Sequence, residues 1–534
     1  MSPMRTPTRT PMRPPTRRPG RSLVVAAALL ALLPLAPLAE AKRPPPPVPA
    51  PTVSPVFATS GITDWATPPA PTKEPTFKPP VAKRFKLANG AGLIVIENHA
   101  LPIVSMQVLV PGAGSALDPA GKGGLASFTS DLLDEGAGGL SAIGIAEESD
   151  RLGASIGIGV DVDAAVVSVD TLAKTLDPTL DLVTKLLTQP AFEAKEFERV
   201  KGDRTTALEQ RRDRPREVAG LMLQAAIYGM GTPYGHPPGG VREEFATLTI
   251  ADAQAFYAQR WNPATMTIIV AGDVDTNKLK AKLDAGLGAW RPKTAKPAPR
   301  PVVTPAKAGS RLLLVDRKDA AQSDVRIGLL GLDRKDRRYA AFEVFRTTLG
   351  DGFTSRLVQR LREQLGITYG AGAAQDWRLA RGPFVIATAI VTPSTAQGIQ
   401  ETLAMVTDLA ATDVPAEELD KSKQNIIRAL PAMFDTNSDT TDAFADLVMH
   451  GLPLDWYARY AAQVRKVTAK DVKAVTKAVV PADRLIVAVV GDLANIRAGL
   501  DKLGLGTPAM FDLYGTPLAA AAPTTPTPKP TPKQ

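Results

Sequence analysis

Two stretches of this chain are written to one plan. "TIADAQAFYAQRWNPATMTIIVAGDV" (Thr249–Val274) and "VTAKDVKAVTKAVVPADRLIVAVVGDL" (Val467–Leu493) each read as a helix, a turn containing proline, an apolar strand and then Gly-Asp. The Gly-Asp pairs begin at Gly272 and Gly491, 219 residues apart. At nearly the same offset, "ALPIVSMQVLVPG" (Ala100–Gly112) is echoed by "AAQSDVRIGLLGL" (Ala320–Leu332). Two agreeing offsets identify a duplicated unit. A chain of 534 residues is too long for one ordinary core, and the repeat says how it divides: into two bodies of one fold.

Proline-rich runs mark the divisions. The spacer 42–82 opens with "KRPPPPVPAPTVSPV", the break 292–309 reads "PKTAKPAPRPVVTPAKAG", and residues 516–534 form a proline-rich tail. They bracket an N-terminal body, 83–291, and a C-terminal body, 310–515. Within each, strands come first and last with helical stretches between. The pattern predicts an α+β fold, each domain a largely antiparallel sheet covered by helices. "AFEAKEFERVKGDRTTALEQRRD" (Ala191–Asp213) reads as one long charged helix, its apolar positions Phe197, Val200, Ala207 and Leu208.

Residues 1–41 read as an export signal. Residues 1–22 hold six arginines and no acid, "LVVAAALLALLPLAPL" (Leu23–Leu38) is an apolar run broken by two prolines, and "AEA" (Ala39–Ala41) offers a cleavage site. The run is short beside the about 20 residues of a membrane span, and the residues around Arg17-Arg18 match a twin-arginine signal poorly. An exported protein of the periplasm or cell envelope is therefore expected. Setting aside the six arginines and Glu40 lowers the formal charge from +9 to +4, which weakens a nucleic-acid reading. The sequence holds no cysteine, so disulfides, thiolate nucleophiles and cysteine zinc sites are excluded.

The stretch "GKGGLASFTSDLLDEG" (Gly121–Gly136) reads as a glycine-rich turn entering an amphipathic helix. With "LANGAGLIVIENHALPIVSMQVLVPGAGSALDPAGKGGLASF", "YGMGTPYGHPPGG", "FYAQRWNPATMTIIVAGDV" and "LGDGFTSRLVQRLREQLGITYGAGA", the chain resembles the insulinase/pitrilysin group of metallopeptidases, in particular its mitochondrial-processing-peptidase-like bacterial branch. The resemblance runs in order over roughly 83–515. It implies two homologous α+β domains forming half of a peptide-enclosing chamber. It also implies an inverted zinc motif, with two His at i and i+4 as ligands, a Glu between them as general base and a Glu farther on as third ligand. Here Ser127 stands at the first His, Ser130 at the base, Asp131 at the second His and Ala207 at the third ligand, with Glu209 two residues on. No His lies between His99 and His236, so no metal site is expected in this chain. His99, His236 and His450 lack ligand spacing.

The resemblance carries a second set of residues in the C-terminal body. Arg362 and Tyr369, seven apart in "RLREQLGITYGAGA", match an Arg and a Tyr that in the family reach the zinc site of the opposing domain. There they act as a clamp on a substrate carbonyl and its developing oxyanion. Gly366 ends the helix of Arg362, which lets Tyr369 lie on the next strand. Gly350, Gly352, Phe353 and Thr354 of "LGDGFTSRL" correspond to the family's glycine-rich loop beside bound peptide, and Arg356 is expected as a surface or helix-end charge. "DPAGKGG" departs from a phosphate loop, because Gly123 follows its lysine. "KDRRYAAFEVFR" (Lys335–Arg346) reads as a solvated charge run opening a helix.

The expectation is a zinc-less subunit, inactive alone, that supplies substrate binding and oxyanion stabilisation to a zinc-bearing homologous partner. A non-catalytic envelope protein that adds peptide to an open sheet edge is the second reading. An independent zinc peptidase is the third, and "SFTSD" (Ser127–Asp131) opposes it.

Overall fold

The computed structural model describes residues 77–291 and 309–518. The expected signal, most of the spacer 42–82, the break 292–309 except Gly309, and all but the first three residues of the tail lie outside the described residues.

The N-terminal sheet comprises β1 (Lys83–Lys86), β2 (Gly92–Glu97), β3 (Ile103–Pro111), β6 (Ser155–Val160), β7 (Ala164–Leu172) and β8 (Thr267–Gly272). Strands β4 (Gly136–Ala137) and β5 (Leu140–Ser141) make a separate small hairpin. The C-terminal sheet comprises β9 (Leu312–Asp316), β10 (Gln322–Leu330), β11 (Thr368–Gln375), β12 (Pro383–Val391), β13 (Ile486–Gly491) and β14 (Ala509–Phe511). The orders are β1-β2-β8-β3-β7-β6 and β11-β12-β10-β13-β9-β14. Only β2–β8 pair in parallel in the first sheet, whereas β9 runs parallel to both β13 and β14 in the second.

The repeat is visible in local chemistry. The helices Ile250–Arg260 and Ala469–Val479 both open with a capping box, Thr249 with Asp252 and Thr468 with Asp471. In each the threonine hydroxyl accepts an N–H of the first turn while the aspartate accepts the threonine N–H, satisfying two donors that every helix start leaves open. These pairs, like β7 with β12 and β8 with β13, are offset by the same 219 residues.

Each domain lends a helix to the other. On β3, Val104, Met106, Val108 and Val110 enter the N-terminal core, while Ser105, Gln107 and Leu109 on the opposite face are also buried. The C-terminal helix Asn437–Met449 covers that second face. Gln107 donates to Asp442, Asn98 to Asn437 at 3.0 Å, and Leu109 packs with Ala164 and Met449. Reciprocally, the N-terminal helix Pro215–Tyr228 lies on β10 and β13, burying Val218, Met222, Leu223, Ile227 and Tyr228 against Leu313, Val315, Ala488 and Val490. At about 1.5–3 kcal/mol for each large apolar side chain buried, these contacts join the domains firmly. At Gly328 a methyl would lie 2.4 Å from the Phe384 carbonyl and 3.0 Å from Leu223, so glycine permits the helix to sit this close.

Two expectations change. The run Lys335–Arg338 is mostly solvated, but the helix it opens, Tyr339–Gly350, is buried nearly all round, including Glu343. The Ala191–Asp213 stretch is helical over Ala194–Glu209 and then a 3-10 turn, Gln210–Asp213. Its Phe197, Val200 and Leu208 are buried, whereas Ala207 faces outward.

Candidate functional site

The glycine-rich turn does lead into a helix, Leu125–Asp131, but one of only seven residues. It is embedded rather than amphipathic, with Leu125, Ala126, Phe128, Thr129 and Ser130 all buried. Phe128 meets Phe197 and Phe245 edge-on, with centroids 5.2 and 5.0 Å apart, which fixes this helix against Ala194–Glu209. Gly124 has φ +94°, and a methyl there would come within 2.9 Å of the Gly240 Cα. The "PYGHPPGG" loop thus rests directly on the turn. Asp118 accepts the N–H groups of Gly124 and Ala126, both at 2.7 Å, placing a carboxylate at the helix N-terminus, where the dipole favours it.

His236 locks this loop. Its Nδ1 faces the Thr232 carbonyl at 3.2 Å, and its Nε2 faces the Ser115 carbonyl at 3.0 Å and Asp118 at 3.3 Å. Carbonyl and carboxylate oxygens only accept, so both ring nitrogens donate and the imidazolium form is favoured. Burial alone would lower its pKa, but the hydrogen bond and charge of Asp118 outweigh burial and raise it. Burial also pushes the Asp118 carboxyl up, against the pull of His236 and the two backbone donors. His236 does lie in a loop, as expected.

Ser127 and Asp131, one turn apart, face the neighbouring helix. From it, the Arg204 Nη2 donates to the Ser127 Oγ at 3.1 Å and to the Asp131 carboxylate. A guanidinium therefore bridges the two positions that the resemblance assigns to zinc-binding histidines. Ser130 is buried, with no hydrogen-bond partner for its Oγ among the described residues. Ala207 lies almost one turn beyond Arg204 on the same helix and offers only a methyl. This donor set does not fit zinc: it has no imidazole and one carboxylate, already paired with a fixed cation. Among the described residues no cluster of three or more His, Cys, Asp or Glu could hold a metal ion. His99 pairs with Asp273 at 2.7 Å and the buried His450 lies 3.5 Å from Asp446.

Arg204 is the residue that reading the sequence missed. The signal was present: a half-buried aspartate in place of a histidine calls for a cation, and Arg204 lies one turn before Ala207.

Arg362 and Tyr369 do come together. Arg362 lies in the π-helical segment Val358–Gln364, which closes at Gly366, φ +62°. There the Gly366 N–H donates to the Arg362 carbonyl at 3.1 Å, and Tyr369 follows on β11. The guanidinium carbon sits 5.1 Å from the Tyr369 ring centroid and 5.4 Å from that of Phe353. Arg362 also pairs with Glu363 at 3.3 Å. Tyr369 is 70% exposed and Phe353 44%, an unusual display for aromatic rings. Thr354 is exposed beside Phe353, and Gly352 makes the turn with φ +87°. Gly350 is instead buried at a helix end, where a methyl would lie 2.5 Å from the Ala373 nitrogen. Arg356 is no free surface charge: it joins two helices through Asp408 at 2.6 Å and Glu418 at 2.8 Å.

The insulinase (peptidase family M16) model matches residues 93–236, and the peptidase M16 inactive-domain model matches residues 247–426. An uncharacterised zinc protease of Mycobacterium tuberculosis is 30% identical over 298 residues, covering 55% of this chain and 67% of that protein. The chain belongs to the insulinase (M16) family. The matched region spans 64% of the length of a similar Mycobacterium leprae zinc protease. The non-peptidase homolog YmxG of Helicobacter pylori is 23% identical over 405 residues, 75% of this chain and 91% of that one. The crystal structure of a peptidase M16 inactive domain from Pseudomonas fluorescens shares the fold, with TM-score 0.71 and 26% identity over 77% of this chain and 98% of that one. In this M16 chain both domains are thus of one fold, as the duplication required. No described helix is long and apolar enough to cross a membrane.

Proposed function

We propose that this chain is an exported, non-hydrolytic M16 subunit that holds peptide and completes the site of a zinc-bearing homologous partner in the periplasm or cell envelope. The observation that carries the reading is the pairing of a site without metal ligands with one that displays its aromatic rings. Arg204 occupies the position of metal chemistry, while Arg362 lies half-buried beside the exposed rings of Phe353 and Tyr369. A guanidinium and a phenol offer donors to a developing oxyanion, but Ser130 cannot act as a general base, so water activation must come from elsewhere. The names borne by the Pseudomonas and Helicobacter relatives, an inactive domain and a non-peptidase homolog, support the absence of independent hydrolysis.

A second reading, peptide holding without a partner, is favoured by β6. Among the described residues its one sheet neighbour is β7, so its other edge is open to an added strand.

Mild purification of tagged residues 42–534 from the native envelope fraction, with zinc analysis of co-purifying chains, separates the two. A stoichiometric zinc-bearing homologue supports the paired reading, and a metal-free homo-oligomer removes it. In the mixed complex, Arg362→Ala should lower kcat by about 10²-fold, the scale of one lost oxyanion donor, and Tyr369→Phe should lower it in the same direction, with assembly unchanged. Equal turnover in both variants and wild type would remove the clamp.

A further inference from the structure

We propose that Arg204 replaces the metal in a second sense, as the group that binds a main-chain carbonyl of the held peptide. The inference rests on the peptide-holding reading and assigns the contact. Guanidinium carries five N–H donors in a planar fork. The Nη2 is engaged by Ser127 and Asp131, which fixes the plane of the group. The Nε and Nη1 have no acceptor among the described residues, and a quarter of the side chain is exposed. Arg204 therefore presents an oriented, unsatisfied edge.

Three neighbouring features determine what that edge takes. The charge of Arg204 is already balanced by Asp131, and nearby Arg211 is balanced by Glu217 at 2.9 Å, so a neutral acceptor suits the site better than an anion. The helix Leu125–Asp131 packs beside β6, so a strand added to the open edge of β6 runs past this helix. An added strand directs half of its carbonyls away from the sheet partner, and such a carbonyl is an acceptor without a partner. With no base at Ser130, the bound carbonyl is held and not attacked.

Fluorescence anisotropy with a labelled unstructured peptide of mixed sequence tests this on residues 42–534. Arg204→Lys keeps the charge facing Asp131 but loses the fork. Peptide affinity should fall by about 10- to 100-fold, the scale of a lost charge-assisted hydrogen bond, with the thermal midpoint kept within a few degrees. Unchanged affinity in Arg204→Lys, with tight binding by wild type, overturns the inference and leaves the peptide-holding reading standing. Failure of the wild type to bind peptide overturns both. If Arg204→Lys unfolds, Arg204→Gln, which keeps donors for Ser127 without the fork, replaces it under the same criteria.

Discussion

Asp161→Asn should raise stability at neutral pH and flatten its pH dependence. Asp161 sits at the turn between β6 and β7, its Oδ1 accepting the N–H groups of Asp163 and Ala164 at 2.7 and 2.8 Å. The residue is half-buried as a whole, but its carboxyl group is surrounded by protein and faces the carboxylates of Asp163 and Asp376. Burial first, and the Asp163 charge second, raise its pKa from the ordinary 3.8 to about 7. The native state then holds a proton that the unfolded chain has released. Stability due to this group is full below the unfolded value and falls as pH rises toward the folded one. Each factor of ten in proton affinity is worth about 1.4 kcal/mol, so the whole effect amounts to about 4 kcal/mol. Asparagine keeps the accepting oxygen and mimics the protonated acid. Urea unfolding of both proteins from about pH 4 to pH 8 should give similar stabilities at the acid end and a more stable variant at the alkaline end. Parallel curves, or a less stable variant at about pH 8, would refute the reasoning.

His236→Gln should destabilise by about 1.5–3 kcal/mol, the value of hydrogen bonds to a charged group. Because the folded pKa of His236 is raised above 6.5, its contribution is full below that pH and is lost as pH rises through the folded value, so the difference from wild type should shrink in alkaline solution; a difference independent of pH in the same unfolding assay counts against the imidazolium assignment. Gly124→Ala should cost at least about 2 kcal/mol, because it combines a left-handed φ with a collision against the Gly240 backbone. Gly90→Ala, at φ +91° but with nothing within 4 Å, should cost only about 1 kcal/mol, and equal losses would show that the close approach of the two loops contributes nothing.

The duplication was legible because caps and strand alternation are local. Thr249 and Asp252, Thr468 and Asp471, Gly272 and Gly491 announce themselves within a few residues. The pairing of Arg362 with Tyr369 was legible for a similar reason, since Gly366 sets the reversal between them. Cross-covering of the domains was not. The apolar residues of Pro215–Tyr228 look the same whether they pack on their own sheet or on the other, and the polar contact that marks the partner, from the Tyr228 hydroxyl to the Arg381 carbonyl, joins residues far apart in sequence. The length of the Leu125–Asp131 helix was hidden as well, because burial by Phe197, Phe245 and the Gly239–Gly240 loop comes from distant sequence.

A zinc ion in an inverted motif would do two jobs: tie two helices together through their side chains and polarise water. The first job needs only a cation with directed contacts, and a guanidinium provides them. The Arg204 Nη2 spans Ser127 and Asp131, and Phe128 packs against Phe197 between the same helices. The second job needs a Lewis acid and a base, and neither Arg204 nor Ser130 supplies one. Ser127 and Asp131, at positions that the resemblance assigns to zinc-binding histidines, are therefore joined by one cation. Without Arg204, the half-buried Asp131 carboxylate would lose the guanidinium that ties it to the neighbouring helix. Under the proposed function, the fold and the peptide surface are kept while hydrolysis is left to the partner.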